Sequence, residues 1–290
     1  MSATEETVAP SAAGPATPDD ANDLRGFHFK RLLGKPLTWA LLAIFAIAAG
    51  VACAIFLGPA IGAAAAAATL LLGLLVVFAI ADSQAEDAFF SAYAARRGLA
   101  LAGRGPLPPA TPLLRKGDDR YAERSMSGPL AAGVDGLLAL YTYEDETTDS
   151  EGNRQTNYYR YTVGLAQVPE CTGFVPELYC QRKSGLRALE KVEDVFRGSK
   201  ERVKLESEAL DERYEIFVRE GQDAVRLRRL FSPTFIVWLT DSAPEKFAFE
   251  LVDGTLCCYV HGHKKKAPEL DTIRAASAAV ATRLRDEAQE

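Results

Sequence analysis

Polar and apolar positions are distributed very unevenly along this chain. From Pro36 to Ala81 there is no charged residue. Gly58-Pro59 divides the run into 37–57 and 60–80, each 21 residues. At about 1.5 Å per residue, each stretch predicts a helix of roughly 30 Å, the thickness of a bilayer's hydrocarbon core. Gly58-Pro59 breaks the helix and Gly62 adds flexibility beside it, so the spacing predicts a tight hairpin. Residues 1–23 are rich in Ala, Pro, Ser, Thr and acids and lack aromatics, the pattern of a disordered tail. Residues 24–35 interleave Leu24, Phe27, Phe29, Leu32 and Leu33 with Arg25, Lys30 and Arg31, as an interfacial flank does.

Beyond residue 81 the periods alternate between helical and extended. Asp82–Arg97 continues the second apolar stretch as an amphipathic helix, with Phe89, Phe90 and Tyr93 on one side and Gly98 as its stop. Val134–Tyr143 and Thr156–Val168 read as paired strands around an acidic tip, Glu144–Asn153. Leu186, Leu189, Val192 and Phe196 have helical spacing. Short strands are predicted near Arg202–Glu206 and at Tyr214, Ile216 and Val218, and helices at Gln222–Phe231 and from Ser232-Pro233 to Trp238. Phe247, Phe249 and Leu251 alternate into the hairpin turn Asp253-Gly254, and Thr255–His261 returns. A closing helix runs over Pro268–Asp286 with the stripe Leu270, Ile273, Ala276, Val280 and Leu284. The expected fold is therefore α+β: a two-helix transmembrane hairpin (36–81), then a mixed, largely antiparallel sheet domain with packed helices (82–290).

Charge orients this picture. Arg25, Lys30, Arg31 and Lys35 precede the first apolar stretch, and the turn between the stretches has no Lys or Arg. The positive-inside rule places the N-terminus, and with it the domain, in the cytosol, giving a two-pass topology. The first stretch is longer than a secretory h-region and begins some 35 residues in, against a cleaved signal. The net charge of −6 gives no reason to expect a nucleic-acid partner. The five cysteines include the adjacent Cys257-Cys258 and form no small disulfide framework, so they read as reduced thiols.

Candidate chemistry is sparse. The sequence has no phosphate loop, dinucleotide fingerprint, nucleophile elbow or His-Glu-x-x-His pattern. No catalytic residue, cofactor or metal site is expected. In a continuous strand, Cys257, His261 and His263 would share a face, and only His261 and His263 lie close enough to chelate one ion together. The basic run Lys264, Lys265 and Lys266 joins Arg25, Lys30, Arg31 and Lys35 as candidates for contact with anionic headgroups.

Leu210–Val218, Asp223-Ala224, Leu230–Pro233, Phe249-Glu250 and Asp253-Gly254, with Phe90–Gly98 after the hairpin, resemble a known group. These are uncharacterised bacterial membrane proteins with a two-helix hairpin and a C-terminal α+β domain of unknown function. The resemblance implies a bacterial inner-membrane location and brings no catalytic residues. The expectation is a membrane-anchored, non-enzymatic module that binds a protein partner or senses lipid. The alternative is a membrane-associated enzyme whose site is scattered in sequence within 82–290.

Overall fold

The computed structural model describes residues 20–148, 151–183 and 200–290. They fall into two compact units that divide between Tyr93 and Ala94.

The first unit is helical. A short α1 (Ala21–Leu33) leads into α2 (Pro36–Leu57) and α3 (Pro59–Arg96). Gly58 caps α2 at φ 97, a left-handed value that glycine adopts without strain, and Pro59 opens α3. The amphipathic segment predicted over Asp82–Arg97 is the unbroken end of α3, and Gly98 follows at φ 65. Helices α2 and α3 fold back on each other through small residues. A side chain built at Gly62 would lie 2.6 Å from both the Ala54 Cβ and the Gly50 carbonyl oxygen. The predicted tail overlaps α1 at Ala21; residues 1–19 lie outside those described.

In the second unit, nine strands are described: β1 (Ala100–Ala102), β2 (Asp119–Ala131), β3 (Val134–Thr148), β4 (Arg154–Gln167), β5 (Glu177–Arg182), β6 (Lys200–Val203), β7 (Tyr214–Arg219), β8 (Ala248–Val252) and β9 (Thr255–His261). They form one sheet in the order β1-β2-β3-β4-β9-β8-β5-β7-β6, and every described neighbour pair is antiparallel. The fold is α+β, two long apolar helices followed by an antiparallel sheet.

Helix α4 (Pro112–Arg115) covers one face, seating Leu113 and Leu114 in a core with Tyr141, Tyr161, Val163 and Cys257. Helices α5 (Glu208–Arg213), α6 (Ala224–Leu230) and α7 (Pro233–Val237) follow, and α8 (Ala267–Gln289) packs on β2, β3, β4 and β9. Its buried stripe contains all five residues predicted for it. Gly164 lets Ser277 of α8 approach the sheet.

Several expectations need correction. Strands β3 and β4 reach into the supposed tip, so Glu144, Asp145 and Glu146 are strand residues paired with Tyr158, Asn157 and Thr156. Strand β2 carries no alternating pattern, because its buried residues, Ala122, Met126 and Leu130, are separated by charged and small ones and interrupted by a bulge. Strand β8 does not alternate: all five residues are buried, as in a strand covered on both faces. The helix expected over Leu186–Phe196 lies outside the described residues.

Candidate functional site

The apolar hairpin exposes large aliphatic and aromatic side chains along both long helices. Helices α2 and α3 are the two described helices long and apolar enough to cross a membrane, and 6% of each one's most apolar 18-residue window is buried. Phe45, Ile47, Ile55, Phe56 and Leu71 are all more than 60% exposed. The Thr69 hydroxyl is satisfied within its own helix, donating to the Ala65 carbonyl at 2.8 Å. Away from the turn, Leu42 sits against Gly73. Beside this contact runs a cleft of about 420 Å³, lined on α2 by Leu41 and Phe45 and on α3 by Thr69, Leu72 and Val76.

The four cations before α2 divide in two. Arg25 is held within the unit: its Nε donates to Asp82 at 2.5 Å and its guanidinium lies 5.6 Å from the Phe78 ring centre. Lys30, Arg31 and Lys35 are exposed. They flank a tied junction, where the Thr38 hydroxyl donates to the Leu32 carbonyl (2.9 Å) and the Trp39 indole N–H to the Leu33 carbonyl (2.8 Å). The Leu32 carbonyl also accepts the Lys35 N–H at 3.2 Å, so both bonds fall on carbonyls at the end of α1.

The second predicted patch lies between β9 and α8. His261 ends β9 with its ring edge-on to Tyr161, 5.4 Å between centres. Gly262, at φ 82, then turns the chain out of the strand, so the shared face expected for His261 and His263 does not form. The buried His263 ring reaches Tyr141, which pairs with Tyr161, and the next residue, Thr142. Its Nε2 lies 3.1 Å from the Tyr141 carbonyl and 3.2 Å from the Thr142 hydroxyl, and Nδ1 lies 3.7 Å from Glu123. A carbonyl only accepts, so Nε2 carries the proton. The Thr142 hydroxyl donates to Glu123 at 3.2 Å. Burial pushes the His263 imidazole below its ordinary value; Arg160 and Lys265 add to this, and Glu123 opposes it. The hydroxyl–imidazole–carboxylate order resembles a nucleophilic triad, but Thr142 is fully buried. Lys264 is tied down by its backbone N–H, which donates to Thr162, and by an ion pair to Glu269 at 3.6 Å.

The residue that sequence reasoning missed is Glu250, a buried carboxylate at the centre of β8. It faces Cys257 on β9 and Tyr179 on β5. Glu250 accepts the Leu113 N–H at 2.9 Å, and the Tyr141 hydroxyl donates to the Leu113 carbonyl at 3.2 Å. The sheet thus grips both polar groups of Leu113. Burial raises the Glu250 carboxyl above its usual range, and the Leu113 N–H, Lys116 and Lys200 pull it back. Lys200 itself lies over the Tyr179 ring at 3.5 Å. Nearby, the Tyr259 hydroxyl is buried without a hydrogen-bond partner among the described residues.

The domain also has a groove of about 660 Å³ between α7 and α8, floored by Phe235 and Trp238 and rimmed by Arg274 and Arg283. The Phe235 and Trp238 rings stack at 5.6 Å. Both arginines are paired within the domain, Arg274 with Asp271 and Arg283 with Glu287. Four of the five free cysteines are buried, and burial raises the Cys171 thiol to about 12. Among the described residues no three His, Cys, Asp or Glu side chains gather as a metal site would require.

No protein-family model matches the chain, and no curated protein matches it. Among solved structures the chain is similar to the crystal structure of the mycobacterial trehalose monomycolate transport factor A, TtfA. The identity is 10%, the match covers 68% of this chain and 90% of that one, and the TM-score is 0.41.

Proposed function

We propose that this protein is a membrane-anchored, non-enzymatic module. Segments 37–57 and 60–80 cross the bacterial inner membrane as a hairpin, and the N-terminus and domain 82–290 lie in the cytosol. There the domain binds a protein partner, with the groove floored by Phe235 and Trp238 as the docking surface. Lys30, Arg31, Lys35 and the loop Lys264–Lys266 meet anionic headgroups, while Arg25 braces the base of the hairpin.

One observation carries the reading: the large apolar side chains of α2 and α3 point outward, with 6% of each window buried. Water would make that surface an aggregation site; hydrocarbon makes it stable. The absence of Lys and Arg from the turn supports the orientation. The enzyme alternative gains no support from Glu250 or from the His263–Glu123–Thr142 group, because Glu250 and Thr142 are sealed from solvent.

The test is co-purification of the full-length protein from gently solubilised membranes. A stoichiometric partner that is lost on Trp238→Ala supports the module. A partner retained by Trp238→Ala moves docking elsewhere on the domain. No partner after crosslinking contradicts the protein-binding reading.

A further inference from the structure

The cleft along the hairpin has features that a general apolar surface lacks. From Thr69 to Ile80, both lining residues, α3 rises about 16 Å. One leaflet of the hydrocarbon core is about 15 Å deep. The cleft thus runs the depth of a leaflet and stops where Gly50, Ala54, Gly62 and Ala66 bring the helices together. Its volume of about 420 Å³ lies within the range of small-ligand sites, and its walls are almost wholly aliphatic and aromatic.

Its other end is marked by charge. Leu32 and Thr38 line the mouth, and the bond between them fixes the end of α1 against the first turn of α2. Lys30, Arg31 and Lys35 therefore lie within about one helical turn of the opening, and all three are exposed. An apolar slot one leaflet deep, with cations at its interfacial end, is complementary to a molecule with an apolar chain and an anionic head.

Building on the bilayer-spanning reading above, we propose that this cleft holds one acyl chain of an anionic phospholipid, with the headgroup phosphate against Lys30, Arg31 and Lys35. The lipid comes from the leaflet on the side of the N-terminus. It fills the gap that the hairpin's own side chains leave open and couples α1 to α2 and α3. Its recognition has two separable parts: the cations choose the head, and the cleft takes the chain.

The experiment is native mass spectrometry of the full-length chain in mild detergent, titrated separately with phosphatidylglycerol and phosphatidylcholine of the same acyl composition. We expect one phosphatidylglycerol per chain, bound at least tenfold more tightly than phosphatidylcholine. Replacing the three cations together (Lys30→Gln, Arg31→Gln, Lys35→Gln) brings phosphatidylglycerol down to the phosphatidylcholine level. Val76→Phe, at a half-exposed position in the cleft wall, weakens both lipids alike. Equal affinities in the wild type, unsaturable uptake of many lipids, or a Val76→Phe protein that binds normally would each overturn the proposal. A bound second copy that excludes lipid would overturn it too. Alkaline carbonate extraction separates the two levels of the argument. A wild-type chain released by carbonate refutes the spanning hairpin itself, whereas a retained chain without lipid selectivity refutes only the cleft.

Discussion

The hairpin and the sheet domain use the same apolar residue types in opposite directions. In α2 and α3, Phe45, Phe56 and Leu71 point outward, and near the turn the helices meet through Gly50, Ala54, Gly62 and Ala66. In the domain, Phe247, Phe249, Leu113 and Leu138 are fully enclosed, and the charged groups are mostly outside. This is the contrast expected if the hairpin meets hydrocarbon and the domain meets water. Small residues drive close packing where the surroundings are as apolar as leucine, whereas large ones drive it where the surroundings are water. Polar groups follow the same logic. Thr69 closes its hydroxyl onto its own helix, while the domain buries Glu250 among partners drawn from several strands and α4.

One substitution at two similarly exposed positions separates the two units with the largest effect. Leu71 and Val237 are 62% and 56% exposed. Leu71→Asp, placed at the middle of a spanning helix, should cost about 3 kcal/mol of membrane insertion, read as the fraction resistant to carbonate extraction. Val237→Asp should change domain stability by no more than about 0.5 kcal/mol in urea unfolding. Equal tolerance at the two sites would mean that α2 and α3 do not meet hydrocarbon.

Glu250 tests the domain's side of the contrast. Glu250→Ala removes the acceptor for the Leu113 N–H and leaves a cavity, for an expected loss of about 3 kcal/mol in urea unfolding at pH 7. Glu250→Gln keeps an acceptor. The carboxyl is raised in the folded state, so its favourable contribution is present below the unfolded value of 4.5 and is lost as pH rises through the folded value. The glutamine variant should therefore be at least as stable as wild type at neutral pH. A Glu250→Gln protein as damaged as Glu250→Ala would show that an ionised carboxylate is required.

Close packing is tested at glycines in both units. Gly62→Leu should cost about 1–3 kcal/mol of hairpin stability, followed by helix signal in detergent, because backbone and Cβ stand 2.6 Å from the new side chain. Gly164→Val should cost the domain a similar amount by pushing Ser277 away. If Gly62→Leu were neutral, the small-residue contact would not hold the hairpin.

The smallest effect belongs to His263. Its folded value is lowered below 6.5, so the neutral ring is favoured. The stability this brings is complete above 6.5 and is lost as pH falls through the folded value. His263→Gln should flatten that acid limb. A histidine resonance titrating above 6.5 would contradict the buried, Arg160-facing ring.

What was legible in the sequence follows from whether one local pattern decided an element. The uncharged run named both long helices, and the alternation at Tyr214–Val218 and the turn Asp253-Gly254 located β7 and the β8–β9 hairpin. Strands β2 and β5 were not legible. The first spaces its apolar residues four apart around a bulge, and the second is a six-residue strand between two others. Glu250 was missed for a related reason. Phe247, Phe249 and Leu251 suggested one buried face and one wet one, whereas coverage on both sides depends on α4, far away in sequence. The signal available was a carboxylate inside a short, otherwise apolar strand. The histidines at 261 and 263 were read as strand neighbours, and Gly262 supplies the turn that separates them.

In the proposed topology the hairpin crosses the membrane and the domain lies on the cytosolic side. Protease added to intact spheroplasts carrying the full-length protein with a C-terminal tag tests this most directly. The expected result is a tagged domain that is spared until the membrane is breached and is then digested. Digestion of the domain in intact spheroplasts would contradict it.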